Sequence, residues 1–369
     1  MLNHKQITDP IVNQVQHRIV FTGGPLAGKS TIMSYLEGVY GDKSRFMTEV
    51  ASMLLTNGYP KPGNDVMFSE EWLNYINETI IPTQVAMENG HLHAAAESKK
   101  RAVFFDRGLL DPSAYLPEGH LTMVNRYGMD IEAVMSRYSM VIHLQSLACH
   151  STEEYDRLCS TNPARYDTAE MAIERDIALV EAWKGHPNWV FIPAGQSLDA
   201  KLQTILSLLH PILDVEIERK FKLNSVPESV LQSAVSKEIN QHYIMKDERF
   251  VIRTRSYDRS VFELCIKGSG ALKRMEWETK IPMELFNTMG SSWPTVSKTR
   301  YYIPYGGHTL ELDIYHSPSL NGLITLECEF ESEEAANKFQ LPEWASDAID
   351  VTEDPNYTNA AMACITEGG

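Results

Sequence analysis

The sequence predicts two domains: an α/β domain with a parallel sheet flanked by helices, then an α+β domain built on an eight-stranded antiparallel β-barrel. Three observations carry this prediction. Strand-like and helix-like segments alternate through the first half, as they do when helices cross over between parallel strands. From Val215 onward, strand-like runs follow one another over mostly short connections, the pattern of an antiparallel sheet or closed barrel. The length of 369 residues exceeds one ordinary core and suits two.

The elements follow in order. Arg18 to Thr22 is a short apolar strand. Thr31 to Tyr40 places Ile32, Met33 and Leu36 at helical spacing. Arg45 to Glu49 is a second strand, followed by a helix through Met53 and Leu54. Residues 71–97 read as helix broken by Pro82, because proline removes an N–H and crowds the preceding turn. Segments 102–106, 140–144 and 189–192 are further strands, with helical spacing over 168–184. The second half offers strands at 215–223, 236–245, 249–257, 261–268, 272–281, 297–305, 308–316 and 323–331. The switch falls at 208–214. The expected division is therefore an extension 1–16, a first domain 17–212 and a second domain 213–369.

Composition excludes several classes. Hydrophobic residues at 43% and charged residues at 22% are those of a globular protein, not of a disordered, collagenous or coiled-coil chain. The net charge is −16 and neither half is basic, so general nucleic-acid binding is excluded. The five cysteines, at 149, 159, 265, 328 and 364, are scattered and form no C-x-x-C. They read as reduced thiols, with no disulfide framework and no zinc site. The N-terminus lacks an apolar signal core and no run of about 18 apolar residues occurs. The expectation is a cytoplasmic protein with no transmembrane segment; the oligomeric state is not legible.

The first candidate site is Gly23-Gly24-Pro25-Leu26-Ala27-Gly28-Lys29-Ser30-Thr31, which fits G-x-x-x-x-G-K-[ST] between a strand and a helix. Glycines let the backbone N–H groups point at phosphate oxygens. The lysine adds a charge near the β/γ-phosphates, and Ser30 is placed to hold Mg2+. Asp106 ends an apolar strand before Arg107 and is a second Mg2+ candidate. Glu49, at the end of its strand, is a candidate base for an acceptor hydroxyl, or else a helix N-terminal carboxylate. This half resembles the AAA_28 group of P-loop ATPase/kinase-like domains, related to nicotinamide riboside kinase and deoxynucleoside kinase folds. The resemblance rests on TGGPLAGKST, FMTEVASMLLTNG, VFFDRGLLD and the stretch from Asn162 to Pro187. It implies bound ATP or GTP, with Arg165 or Arg175 in a lid over the phosphates.

The second candidate site is a set of charges that alternate along strand after strand. Side chains alternate with period 2, so Glu216, Glu218 and Lys220 share one face of their strand. The same holds for Arg253 with Arg255, Arg274 with Glu276 and Glu278, Lys298 with Arg300, Glu311 with Asp313, and Glu327 with Glu329; Lys267 stands in its own strand. Acidic pairs suit Mg2+ or Mn2+, and basic pairs suit a polyphosphate. A closed barrel with that interior is an anion tunnel with metal along one wall.

This half resembles the CYTH family, the triphosphate tunnel metalloenzymes, through Glu216-Ile-Glu218-Arg-Lys220 and the paired charges above. The tail from Val351 resembles the family's closing helix. The resemblance implies that Glu216, Glu218, Asp313 and one or both of Glu327 and Glu329 hold divalent metal. It implies that Lys220, Arg253, Arg255, Lys267, Lys298 and Arg300 grip the triphosphate, with Glu276, Glu278 and Glu311 free to orient those bases. Arg274 is either tunnel-facing or a structural partner. The expected function is bifunctional: a P-loop NTPase or small-molecule kinase joined to a metal-dependent hydrolase of inorganic or organic triphosphate. Two alternatives stand beside it. One is a nucleotide-regulated binder of polyphosphate or phosphoinositide, as the shared architecture of TRPL-translocation-defect-like proteins suggests. The other is adenylyl cyclase chemistry in the barrel.

Overall fold

The computed structural model describes residues 7–365 except 64, 68, 161–167, 247–248, 291–292 and 331–332. The chain divides into two compact units, Met1–Leu208 and Leu209–Gly369.

The first unit holds strands β1 (His17–Thr22), β2 (Ser44–Met47), β3 (Ala102–Asp106), β4 (Met140–Leu144) and β5 (Trp189–Ile192), paired in the order β2-β3-β1-β4-β5. The pairings are parallel. Ile19, Val20 and Phe21 of β1 are wholly buried, as expected of a strand covered on both faces. The chain runs from β1 towards β3 and β2, and later to β4 and β5. The carboxyl end of β1 therefore opens at the reversal, where such sheets bind ligands.

Helix α1 (Lys29–Tyr40) buries Ile32, Met33, Leu36 and Tyr40. Helix α2 (Val50–Thr56) starts directly after Glu49, which is its N-cap. Strand β2 therefore stops at Met47, short of the predicted Glu49, because the chain must leave the sheet before the helix begins. Helix α3 (Glu70–Glu97) corrects a second expectation: Pro82 lies inside it and does not break it. Burial of Ile76, Ile81, Val85 and Leu92 on both sides of the proline offsets the missing hydrogen bond. Ser69 opens α3 by accepting from Trp72 N. Helix α4 (Ala169–Trp183) is capped by Thr168, and α5 (Leu198–Leu213) contains the boundary between the units.

A charged network ties α3 into this unit. Glu88 has no exposed surface and accepts from Arg137 Nη2 at 3.0 Å, Tyr138 Oη at 2.8 Å and Gln84 Nε2 at 2.9 Å. Removing one partner of a buried pair strands the other charge. Arg137→Ala should lower unfolding free energy by about 3–5 kcal/mol. Urea unfolding of the variant against wild type measures it; a loss under about 1 kcal/mol, the range of surface pairs, contradicts the burial argument.

The second unit contains β6 (Val215–Leu223), β7 (Val235–Lys246), β8 (Phe250–Tyr257), β9 (Val261–Gly268), β10 (Lys273–Lys280), β11 (Thr295–Tyr305), β12 (His308–Tyr315) and β13 (Ile324–Glu329). They pair antiparallel in the order β10-β9-β8-β7-β11-β12-β13-β6. A further β10–β6 pairing closes the ring of eight. That seam is three residue pairs long, Lys273–Met275 against Val215–Ile217. The short strand β14 (Ile349–Asp350) covers β6 farther along, at Phe221 and Lys222.

The barrel is polar inside and apolar outside. Ile217 and Phe221, on the face of β6 opposite Glu216 and Glu218, pack with Leu310, Leu312, Leu326, Phe330 and Ala336. The tail differs from the single helix expected from Val351. A 3-10 turn at Pro355–Tyr357 precedes a helix only at Asn359–Ile365, since Pro355 interrupts the run. Ala360, Met362 and Ala363 of that helix pack with Tyr243, Val296 and Tyr315. All five cysteines are thiols outside any disulfide. No helix of the described residues is long and apolar enough to cross a membrane.

Candidate functional site

The phosphate loop leaves the carboxyl end of β1 and lies hard against β4. Gly23 has φ +127°, and a Cβ there would sit 1.9 Å from the carbonyl oxygen of Leu144; one on Gly24 would sit 2.7 Å from Ser146 Cβ. Only glycine fits at either position. Asp176 of α4 pins the loop, accepting from Gly24 N at 2.8 Å and Ser146 N at 3.0 Å and meeting His143 Nε2 at 3.2 Å. Burial works to raise the Asp176 carboxyl. The His143 contact and the two backbone N–H groups outweigh it and hold the carboxyl below its usual range.

Lys29, the first residue of α1, donates to the carbonyl oxygens of Gly23 at 2.7 Å and Gly24 at 3.0 Å. A cavity of about 640 Å³ opens beyond it. Its floor is formed by Pro25, Leu26, Ala27, Gly28, Lys29, Ser30 and Thr31, while Gly23 and Gly24 lie buried behind. Glu49, Asp106, Arg107 and Arg175 all reach this cavity. Arg175 lies in its wall, donating to the carbonyl of Ala114 at 2.9 Å over the Tyr115 ring. Arg165 lies outside the described residues.

The charges at the neck set one another. Burial, then Arg107, lowers the Lys29 ammonium to about 8. Burial works to raise Glu49, but Arg107 and Lys29 pull it down to about 2. Arg107 Nε bonds Glu49 at 2.7 Å. Burial, then the charge of Glu49, raises Asp106 to about 6. Asp106 Oδ1 is buried without a hydrogen-bond partner among the described residues. An orphaned carboxylate oxygen near Ser30 and Lys29 fits a divalent cation held with a nucleotide.

Asp106→Asn tests this. The variant should gain thermal stability in the absence of nucleotide. A raised carboxyl destabilises the fold while it is ionised, so the gain should be full above about pH 6 and gone below the ordinary value of 3.8. Melting curves from pH 4 to 8 measure it. A gain independent of pH, or none, counts against the buried charge.

Three residues that sequence reading missed support this site. Asp176 is the first. The second, Asp111, accepts from Thr22 Oγ1 at 2.6 Å, Gly108 N at 2.9 Å and Trp183 Nε1 at 3.0 Å, and braces Arg107 at 3.1 Å. The third, Gln84, gives its Nε2 to Glu88 at 2.9 Å and to the Arg107 carbonyl at 3.0 Å. The Arg107 carbonyl can only accept, so the amide is oriented and Oε1 is left as an acceptor on the cavity lined by Trp72, Leu73, Ile76 and Ile80. Asp111 was visible only as the last residue of VFFDRGLLD, and a glutamine inside a long helix gives no pattern.

The barrel interior is the second site, a cavity of about 190 Å³ lined wholly by charged and polar side chains. Seven glutamates (216, 218, 276, 278, 311, 327 and 329) face it with five cations, Arg253, Arg255, Lys267, Arg274 and Arg300. Arg274 thus faces the tunnel. Glu216 accepts from Lys267 at 2.8 Å and from Arg274 at 3.0 Å; Arg274 also holds Glu218. Arg255 bonds Glu278 at 2.7 Å and Glu263 at 3.0 Å. Arg253 lies 3.5 Å from Glu276.

Lys220, Lys298 and Asp313 stand behind the lining. Lys220 bonds Glu327 at 2.9 Å. Asp313 is fully buried, its two oxygens taken by Lys298 at 2.5 Å and by Arg300 at 2.7 and 2.6 Å. Burial lowers Lys298 to about 7, working against Asp313. Glu218 and Glu329 are direct cross-strand partners. Loss of solvent, then the charges of Glu216 and Glu218, lifts Glu329 to about 7 although its side chain still reaches water. Three carboxylates crowded this way fit a hard divalent cation.

Comparison with known proteins follows these two sites. An inorganic triphosphatase from Nitrosomonas europaea is 34% identical over 156 residues, spanning 40% of this chain and 96% of that protein. This chain belongs to the family of that triphosphatase. Residues 18–199 match the AAA domain family AAA_28. Among solved structures, an inorganic triphosphatase is 30% identical over 40% of this chain and 93% of its own, with a TM-score of 0.30. A deoxyadenosine kinase from M. mycoides with bound dATP is 15% identical over 52% of this chain and 98% of its own, with a TM-score of 0.31.

Proposed function

We propose that the second unit is a divalent-metal-dependent phosphohydrolase of inorganic or organic triphosphates, and that the first binds ATP or GTP and transfers its phosphoryl group to water or a small acceptor. The observation that carries the first part is the barrel interior, where carboxylates outnumber cations and no apolar side chain lines the cavity. A polyanion enters such a cavity only in company with cations. Mg2+ or Mn2+, seated by Glu216, Glu218, Glu329 and Glu327, supplies Lewis-acid polarisation of the phosphoryl group when bound. Arg253, Arg255, Lys267 and Arg300 take the phosphate oxygens, and Arg offers them forked contacts. Lys220, Lys298 and Asp313 position Glu327 and Arg300 from behind. Glu276, Glu278 and Glu311 hold the cations aimed inward until the anion arrives.

In the first unit the loop N–H groups and Lys29 take the nucleotide phosphates, and Ser30 and Asp106 face the cation that accompanies them. Glu49, ionised throughout the neutral range, stands at the neck between those phosphates and the largely apolar far end of the cavity. A hydroxyl held there has a proton acceptor beside it. Arg175 and Arg107 line the same cavity and offset charge in transfer.

The test is phosphate release from tripolyphosphate, ATP, GTP and thiamine triphosphate with Mg2+ and with Mn2+, in wild type, Lys29→Ala and Glu216→Gln. Turnover that survives Lys29→Ala and is lost in Glu216→Gln supports the barrel as hydrolase, and the panel names its substrate. The reverse pattern removes the barrel from catalysis. No turnover of any substrate replaces hydrolysis with ligand binding.

A further inference from the structure

The cation seat of the barrel is occupied by one of the chain's own side chains. Arg274 Nε lies 3.1 Å and Nη2 3.0 Å from Glu216 Oε2, and Nη2 also meets Glu218 Oε1. One guanidinium thus bridges the two carboxylates that share the inner face of β6. Its position is set by the backbone. Arg274 is the direct cross-strand partner of Glu216, in the seam of three residue pairs that closes the barrel. A guanidinium does not lose its proton in proteins, so this occupant leaves only by exchange.

We propose that Arg274 is a gate on the metal seat: it holds Glu216 and Glu218 in the empty barrel and releases them when an entering polyphosphate draws the guanidinium to its own oxygens. This rests on the reading of the barrel as a metal-dependent triphosphate site. Free metal must displace a bridging positive charge and binds weakly. Metal arriving with a polyanion meets carboxylates already released. The order of loading follows: anion, or anion with its cation, before any cation alone. The bond of Lys267 to Glu216 at 2.8 Å persists when Arg274 is replaced, so the carboxylate is not stranded and the variant keeps a partner inside the barrel.

The experiment is titration of the full chain with Mn2+ alone, followed by electron paramagnetic resonance of the free ion. It compares wild type, Arg274→Gln, Arg274→Lys, Glu216→Gln and the double variant Glu216→Gln/Arg274→Gln. The expected result is Mn2+ affinity at least tenfold tighter in Arg274→Gln. Arg274→Lys, which keeps the charge and loses the fork, should give a smaller gain and serves if the glutamine variant does not fold. The double variant should lose the gain. An arginine that only braces the seat would weaken metal binding on removal. If Glu216→Gln weakens Mn2+ binding while neither Arg274 variant tightens it, the gate is overturned and the metal reading stands. A gain that survives in the double variant is a general charge effect and also overturns the gate. If no variant shows binding that depends on Glu216, both readings fall.

Discussion

Glu216→Gln should lower the rate of phosphate release from the barrel substrate by about three orders of magnitude, the scale seen when one charge-stabilising group is lost from a transition state. The reason is local. Glu216 lies beside Glu218 on one strand and across from Arg274 in the closing seam, and in the function proposed above its charge is part of the seat for the cation. The amide keeps the shape and removes the charge. Burial works to raise Glu216, but Lys267 and Arg274 hold it well below the ordinary carboxylate range. In the variant each of those two cations loses one anionic partner, Lys267 keeping Glu276 at 3.0 Å and Arg274 keeping Glu218, and both are freer to meet phosphate. The loss should therefore fall on kcat, with KM unchanged or lower. A rise in KM with kcat intact would show Glu216 to be a binding residue only. Activity within tenfold of wild type would remove it from the metal seat.

Lys29→Ala should abolish measurable nucleotide binding by the first unit, a weakening of at least about a hundredfold, as expected for a buried charged contact to phosphate. The ammonium is turned onto the carbonyls of Gly23 and Gly24 and lowered to about 8 by burial and Arg107. A phosphate beside it favours the charged form. Nucleotide binding near pH 8.5 should thus take up roughly three quarters of a proton, falling towards none at pH 6.5, where Lys29 is already charged. Calorimetry of wild type in two buffers of different ionisation enthalpy reads this number. Binding without proton uptake at pH 8.5 would place the phosphates away from Lys29.

The two sites were legible in the sequence to different depths. The loop from Gly23 to Thr31 was readable because its demands are those of the backbone: close approach at Gly23 and Gly24, and a left-handed turn at Gly28. The barrel strands were readable because charge alternated with period 2 on six of them, and all eight formed near their expected limits. The shorter helices escaped. His120–Tyr127, Ile131–Ser136 and Thr152–Cys159 run only six to eight residues, too short for a 3.6-residue period to stand out. Pro82 misled because local propensity was outweighed by the burial of residues on either side of it.

Sequence by itself determined the composition of each site: which strands carry acids, which carry bases, and where the chain can lie against phosphate. These are properties of single segments, set by side-chain period and by glycine. Only the tertiary structure decided which charges meet. Arg274 bridges Glu216 and Glu218 because antiparallel register places it opposite Glu216. Asp313 serves Lys298 and Arg300 because burial leaves it no other partner. Gln84 turns an oxygen to the cavity because the Arg107 carbonyl, which can only accept, takes an amide hydrogen. Pairing of buried charge depends on distances between segments far apart in the chain, and at these separations an ångström changes an interaction from a hydrogen bond to none.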